Sequence, residues 1–326
     1  MKTQLLSTHT PDLLAHAVAE ACRFLEAGEP VALPTETVYG LAADALRPDA
    51  ILKIFEAKER PFFDPLIVHL PDLGWLDRLT ATPEHDAPLV HALTERFWPG
   101  PLTLVLPRRA LIPDIVASGL PTVALRMSAH PVFSAVVRAF GRPLAAPSAN
   151  RFGRISPTAA AHALSELEGR IPLVVDGGPT THGVESTIIA VAWGRIEILR
   201  NGPITREELA TFGEVTEPGA VSKPVAPGQL KSHYAPRTPL RITTTPEPIP
   251  GQRCGLLAWK DARPGFASVE VLSPCGDPRE AAAHLFAALR RLDEACLDVI
   301  LAEPAPETGI GAAIMDRLRK AAHDFL

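Results

Sequence analysis

Cysteine is scarce in this 326-residue chain: Cys22, Cys254, Cys275 and Cys296 are its only four, too far apart for any C-x-x-C pair. That spacing supports neither a disulfide framework nor a zinc knuckle, so buried thiols in a reducing cytosol are expected. Apolar runs long enough to span a bilayer are missing, and no charged-then-apolar leader opens the chain. A cytoplasmic protein without a membrane span is the expectation. Aromatic residues make up only 6%, with two tyrosines and four tryptophans, and the formal net charge is −5. Those values argue against a chain whose main task is to stack bases or track a nucleic-acid backbone.

Missing motifs narrow the chemistry. There is no G-x-S-x-G elbow, no H-E-x-x-H, no G-x-G-x-x-G after a strand and no cluster of metal ligands. The run Gly183-Val184-Glu185-Ser186-Thr187 lacks the spacing and the lysine of a P-loop. Hydrolase, oxidoreductase and zinc-enzyme readings therefore lose ground. Lysine is also sparse, seven against 25 arginines. From Arg96 to Thr158 there are eight arginines, no lysine and one acid, Asp114, a window that could bind phosphate or merely reflect the general preference.

Hydrophobic residues account for 46% and charged residues for 21%, an ordinary globular balance, and the length exceeds one comfortable core. Apolar positions at helical spacing over Asp12 to Ala27, stopped by Gly28, predict a helix feeding the strand Val31-Ala32-Leu33. Strand-like runs recur at Pro65–His69, Leu102–Leu106, Thr122–Arg126, Leu144–Ala146, Leu173–Val175 and Thr187–Val191. Helical stretches, among them Ala50–Lys58, Val132–Phe140 and Thr158–Leu167, fall between them. This alternation predicts an α/β layered domain over residues 1–212. Prolines 218, 224, 227, 236 and 239 then mark 213–239 as an extended linker. Strands and helices resume over 240–326 as a small second α/β domain.

Three blocks rich in small hydroxyl and amide residues each adjoin an apolar run: Pro34-Thr35-Glu36-Thr37-Val38-Tyr39-Gly40-Leu41, Pro147-Ser148-Ala149-Asn150, and Val184-Glu185-Ser186-Thr187-Ile188. Strand ends of this kind hand hydrogen bonds to a ligand, so one shared pocket is expected. A fourth block, Lys58-Glu59-Arg60-Pro61-Phe62-Phe63-Asp64-Pro65-Leu66-Ile67-Val68-His69, brings two cations into a loop where they can converge on a polyphosphate or simply complement a helix C-terminus. Thr122 and Arg126 share one face of their strand. Few carboxylates accompany these groups, which favours positioning and electrostatic stabilisation of phosphoryl or nucleotidyl transfer over acid–base chemistry.

In this order the blocks, with Phe97-Trp98-Pro99-Gly100-Pro101-Leu102-Thr103, Arg200-Asn201-Gly202-Pro203, Pro227-Gly228, His233-Tyr234-Ala235-Pro236 and the stretch Gly309 to Ala322, resemble the YrdC-like family, in particular its long-form L-threonylcarbamoyladenylate synthases. The resemblance covers almost the whole chain. It implies a YrdC-like twisted mixed sheet flanked by helices, with a smaller Rossmann-like α/β C-terminal domain. It also implies a nucleotidyltransferase that joins L-threonine, bicarbonate and ATP into threonylcarbamoyl-AMP and pyrophosphate, for threonylcarbamoyladenosine modification of tRNA. Tyr234, Thr122, Ser148, Arg200, Asp64 and Arg60 would hold ATP, and Lys58 with Arg60 would act at the phosphates. Thr37, His69, Arg126, Ser186 and the backbone at Ala146 would hold threonine. Mg2+ would arrive on the triphosphate, no dedicated carboxylate cage being visible, and tRNA or the threonylcarbamoyl-transfer machinery would be partners. The linker would close over the nucleotide as a lid.

Three positions depart from the family pattern: Asp64 where Asn is usual, Ser128 for a proline, and Asp316 for an Asn. The competing readings are an RNA-binding module of the same fold and a carbamoyl-transfer domain of the hydrogenase-maturation type, which would need zinc-binding C-x-x-C repeats that the sequence lacks.

Overall fold

A computed structural model describes residues 2–216, 225–230 and 233–322. Eleven strands build the larger sheet: β1 Gln4–Ser7, β2 Val31–Leu33, β3 Gly40–Asp44, β4 Ile67–His69, β5 Leu102–Pro107, β6 Thr122–Arg126, β7 Leu144–Ala145, β8 Leu173–Asp176, β9 Thr187–Ala192, β10 Arg195–Arg200 and β11 Val215–Thr216. They pair in the order β1-β8-β2-β3-β7-β4-β6-β5-β9-β10-β11, with parallel and antiparallel neighbours mixed.

Both faces of this sheet are covered, because its strands alternate two apolar sets. Val31, Leu33, Ala42, Leu173 and Val175 pack with the helices Pro11–Glu26 and Pro131–Phe140. Ala32, Leu41, Ala43, Val68, Leu104, Leu125 and Ile189 point into the largest core on the other face. From β4 to β10 the face opposite that core carries a different set. Ile67, Val105, Ala124, Ile188 and Leu199 form a small apolar floor, and His69, Thr103 and Arg126 share its period-two register.

The second sheet is parallel, in the order β12 Leu240–Ile242, β15 Val299–Ala302, β13 Cys254–Ala258, β14 Ser268–Val271. Helices Pro278–Glu294 and Gly311–Ala322 cover it. Val38, Ile155, Val184 and Tyr234, all from connecting segments, join this second core, so the two domains share one apolar cluster. Ion pairs add to the junction: Arg290 reaches Glu166 at 3.2 Å and Arg317 reaches Glu185 at 2.8 Å.

Several sequence expectations change. Cys275 and Cys296 are exposed, so only Cys254 is a buried thiol. Strands Gln4–Ser7, Gly40–Asp44 and Arg195–Arg200 have no counterpart in the periodicity reading, and Val215–Thr216 falls within the stretch read as linker. Four arginines of the arginine-rich window are ion-paired: Arg108 with Asp114, Arg126 with Glu36, Arg142 with Glu26 and Asp44, and Arg151 with Glu166.

At Gly183 the domains touch closely. It has φ of +68°, and a Cβ there would lie 2.4 Å from the carbonyl oxygen of Ala282 and 2.5 Å from Cα of Ala283. Neither is a flexible side chain, so Gly183→Ala should lower stability by about 1–3 kcal/mol through overpacking. A denaturant midpoint equal to wild type would show that this helix does not dock on Gly183.

Candidate active site

A pocket lies on the sheet face that carries Ile67, His69 and Arg126. Strand ends supply most of its lining, with His69, Arg126 and Arg200 closing β4, β6 and β10, and the three small-residue blocks meet there as the sequence suggests. Thr37, Arg60, His69, Arg126, Ala146, Ser148, Ser186, Arg200 and Tyr234 all border it. Lys58, Asp64 and Thr122 do not. Thr122 lies on the same face as Arg126 but four residues upstream, about 13 Å away along the strand.

At one end the Pro34–Leu41 block turns on its own side chains. Thr35 Oγ1 accepts from the backbone N–H of Thr37 at 3.1 Å and of Val38 at 3.2 Å, and donates to the Val38 carbonyl at 2.6 Å. This turn aims Thr37 at Arg126, whose Nη1 donates to Thr37 Oγ1 at 3.0 Å while its Nε donates to the Gly100 carbonyl at 3.2 Å. Glu36 stands 2.7 Å from Arg126 Nη2, but not in hydrogen-bond alignment, and accepts from Ser128 Oγ at 2.5 Å. Burial alone would raise the Glu36 carboxyl; Arg126 and Ser128 outweigh it and hold the pKa at about 2. His69 packs on Phe133 with ring centroids 4.5 Å apart, and its Nδ1 has no partner.

At the other end, Arg60 donates to the carbonyls of Asp64 at 3.2 Å and Pro65 at 2.9 Å, and sits 2.8 Å from the Asp64 carboxylate. Burial pushes the Asp64 carboxyl up, against the pull of Arg60 and Lys58. Arg200 donates to the Ser186 carbonyl at 2.9 and 3.0 Å and to Ser186 Oγ at 3.0 Å. Thr103, fully buried behind it, is 2.8 Å from the same hydroxyl. Pro227, Gly228, His233 and Tyr234 of the linker border the pocket. Pro218, Pro224, Lys231 and Ser232 of the linker lie outside the described residues.

Lys58 differs from the phosphate cation expected of it. It is 1% exposed, and its Nζ donates to the carbonyls of Ser148, at 2.5 Å, and Asn150. Burial first, then the neighbouring Arg60, push its pKa well down. In this geometry Lys58 fixes the Pro147–Asn150 turn rather than facing the pocket. Sequence reasoning also gave no role to Glu36, Thr103 or Arg317. All three sit inside blocks already singled out, Arg317 within the stretch Gly309 to Ala322.

Comparison with known proteins bears on this pocket. A family model named Sua5/YciO/YrdC and described as "Telomere recombination" matches residues 23–202. A second, described as "Threonylcarbamoyl-AMP synthase, C-terminal domain", matches residues 204–323. The chain belongs to the Sua5/YciO/YrdC family. It is 44% identical to the threonylcarbamoyl-AMP synthase of Bacillus subtilis, over 98% of this chain and 95% of that protein. The corresponding Pyrococcus abyssi enzyme is 40% identical over 92% of each. The crystal structure of P. abyssi Sua5 complexed with L-threonine superposes with a TM-score of 0.89 at 36% identity, covering 99% of this chain and 98% of that one. The mixed sheet and the parallel second sheet therefore follow the Sua5 architecture.

Protonation of His69 gives a test of this geometry. Burial, with Arg126 adding to it against Glu36, lowers its pKa from 6.5 to about 3. The native state holds it neutral while the unfolded chain protonates it near pH 6.5. Its contribution to stability is therefore whole above pH 6.5 and falls by up to about 1.4 kcal/mol per pH unit as pH drops toward 3. His69→Gln should remove that slope from the stability profile measured by urea unfolding between pH 6 and 4. An unaltered slope would mean that His69 is not held in this environment.

Proposed function

We infer that this chain is a threonylcarbamoyl-AMP synthase. One observation supports it most: a single pocket is lined by Arg126, Thr37 and His69 and also by Arg60 and Arg200. Two anionic groups of one reaction can thus be held apart and aligned. Arg126 suits the carboxylate of L-threonine through a paired hydrogen bond. Thr37, Ser186, the unpartnered His69 nitrogen and the backbone at Ala146 surround that end. Arg60, Arg200, Ser148 and Tyr234 suit the nucleotide, with Asp64 behind Arg60 and Thr122 further along the same face.

The chemistry follows from the substrates. The threonine nitrogen forms a bond to the carbon of bicarbonate, which loses the elements of water and leaves a carbamate. A carbamate oxygen then bonds to the α-phosphorus of ATP, and the bond to the β-phosphate oxygen breaks to release pyrophosphate. Negative charge builds on phosphate oxygens, where fixed cations act without reorganising. Neutral His69 can accept a hydrogen bond from the threonine nitrogen, although a pKa of about 3 makes it a weak base.

Magnesium would ride on the triphosphate and neutralise its charge. The carboxylates near the nucleotide end fit that arrangement, since Glu185 is held by Ser156 and Arg317, and Asp64 by Arg60. The product, a mixed anhydride, would donate its threonylcarbamoyl group to a tRNA adenosine in the cytoplasm. Among the described residues no helix is long and apolar enough to cross a membrane.

Pyrophosphate release measured with each substrate omitted in turn tests the assignment. It should require L-threonine, bicarbonate, ATP and magnesium together, and equal release without threonine would refute it. Two variants test the division of the pocket. Arg60→Ala should cost on the order of 10²–10³ in turnover, as removal of an electrostatic donor does. Arg126→Ala should chiefly raise the KM for threonine. Identical ATP and threonine profiles for the two variants would undo the two-ended reading.

A further inference from the structure

The helix Gly311–Ala322 belongs to the second sheet yet reaches the pocket wall. Arg317, with no exposed surface, donates from Nε to Glu185 Oε2 at 2.8 Å, from Nη2 to the Asn201 carbonyl at 3.1 Å and from Nη1 to Asp316 at 2.5 Å. Its guanidinium carbon lies 5.0 Å from the centroid of the Tyr234 ring. The other oxygen of Glu185 accepts from Ser156 Oγ at 2.5 Å. Glu185 and Tyr234 both border the pocket. Near the end of the same helix, Lys320 Nζ donates to the Gly228 carbonyl at 2.7 Å, and its own carbonyl accepts from the His233 N–H at 3.3 Å.

Docking alone is a poor explanation for Arg317. A buried ion pair adds little net stability over an apolar pair of the same volume, and the shared apolar cluster already joins the two domains. A second interdomain pair, Arg290 with Glu166, lies away from the pocket. What distinguishes Arg317 is that it contacts two of the groups forming the pocket wall. A planar fork fixes both in orientation as well as in distance.

We propose that Arg317 is a positioning residue for the reaction: through Glu185 and the Tyr234 ring it sets the nucleotide-facing wall, so that the C-terminal domain completes the site. This rests on the reading that the nucleotide lies against Tyr234.

Two charge-neutral double variants separate positioning from docking. Glu185→Gln/Arg317→Met and Glu166→Gln/Arg290→Met each delete one interdomain pair without stranding a buried charge. Steady-state KM for ATP and kcat, threonine affinity by calorimetry and the thermal midpoint are measured for both. The first should raise the KM for ATP and lower kcat, a combined loss of about tenfold or more in kcat/KM, with threonine affinity kept. The second should leave all three at wild-type values. If both variants behave alike, or if the first keeps wild-type kinetics, Arg317 only docks the domain. Arg317→Lys, which retains charge but loses the fork, should show the same ATP-selective loss and serves if the first double variant is unstable. Tyr234→Ala with an unchanged KM for ATP would instead refute the placement of the nucleotide.

Discussion

Three arginines almost withdrawn from water border one cavity, with Lys58 held against the carbonyl of its lining residue Ser148, and main-chain carbonyls fix all four. Lys58, Arg60, Arg126 and Arg200 are each at most 7% exposed. Each donates to at least one backbone oxygen: those of Ser148 and Asn150, of Asp64 and Pro65, of Gly100, and of Ser186. Burying a charge costs several kcal/mol unless hydrogen bonds and counter-charges offset it. Carbonyl dipoles offset part of that cost and, unlike carboxylates, leave the net positive charge in place. Glu36 and Asp64 neutralise two of the four at closest range. The result is a cavity whose field is fixed before a ligand arrives, the condition for electrostatic catalysis without reorganisation.

That arrangement depends on the sheet. A strand buried on both faces has one set of residues for the main core and another for the opposite side, and from β4 to β10 the second set forms a small apolar cluster and supplies His69, Arg126 and Arg200 to the pocket. Val68, Leu104, Leu125 and Ile189 serve the core while His69, Thr103 and Arg126 face the other way. A one-residue slip in register would exchange the two sets, so the same hydrophobic alternation that fixes the fold also fixes the site.

Legibility from sequence follows this physics. Helices with proline at the first turn and an apolar stripe, such as Pro11–Glu26 and Pro131–Phe140, are readable because the signal is local. The strand Gly40–Asp44 is hidden, since its alanines and glycine carry no β-propensity and its place is set by pairing with β2 and β7. Motif blocks point to the residues of the pocket but not to which way each side chain turns. Lys58 and Arg60 read alike in sequence and both donate to two carbonyls, yet only Arg60 borders the cavity. Arg317 is illegible because its partners, Glu185 and Tyr234, lie 132 and 83 residues away, and only tertiary packing brings them together.

The unspent polar capacity of the molecule converges on the same place. Among the described residues, the buried side-chain atoms without a hydrogen-bond or ion-pair partner include Asp64 Oδ1, His69 Nδ1, His233 Nδ1 and the Tyr234 hydroxyl. Folded proteins rarely tolerate such atoms, each costing about 1–3 kcal/mol, unless something else supplies the partner. Tyr234 adds backbone strain, with φ of 63° on a residue that bears a Cβ. A Cβ on Gly228 would stand 2.7 Å from its hydroxyl, so glycine is what lets the linker pass so close. Orphaned polar atoms beside a strained Tyr234 at one cavity are what a fold shows when part of its stability has been given over to holding a site ready for polar, charged substrates.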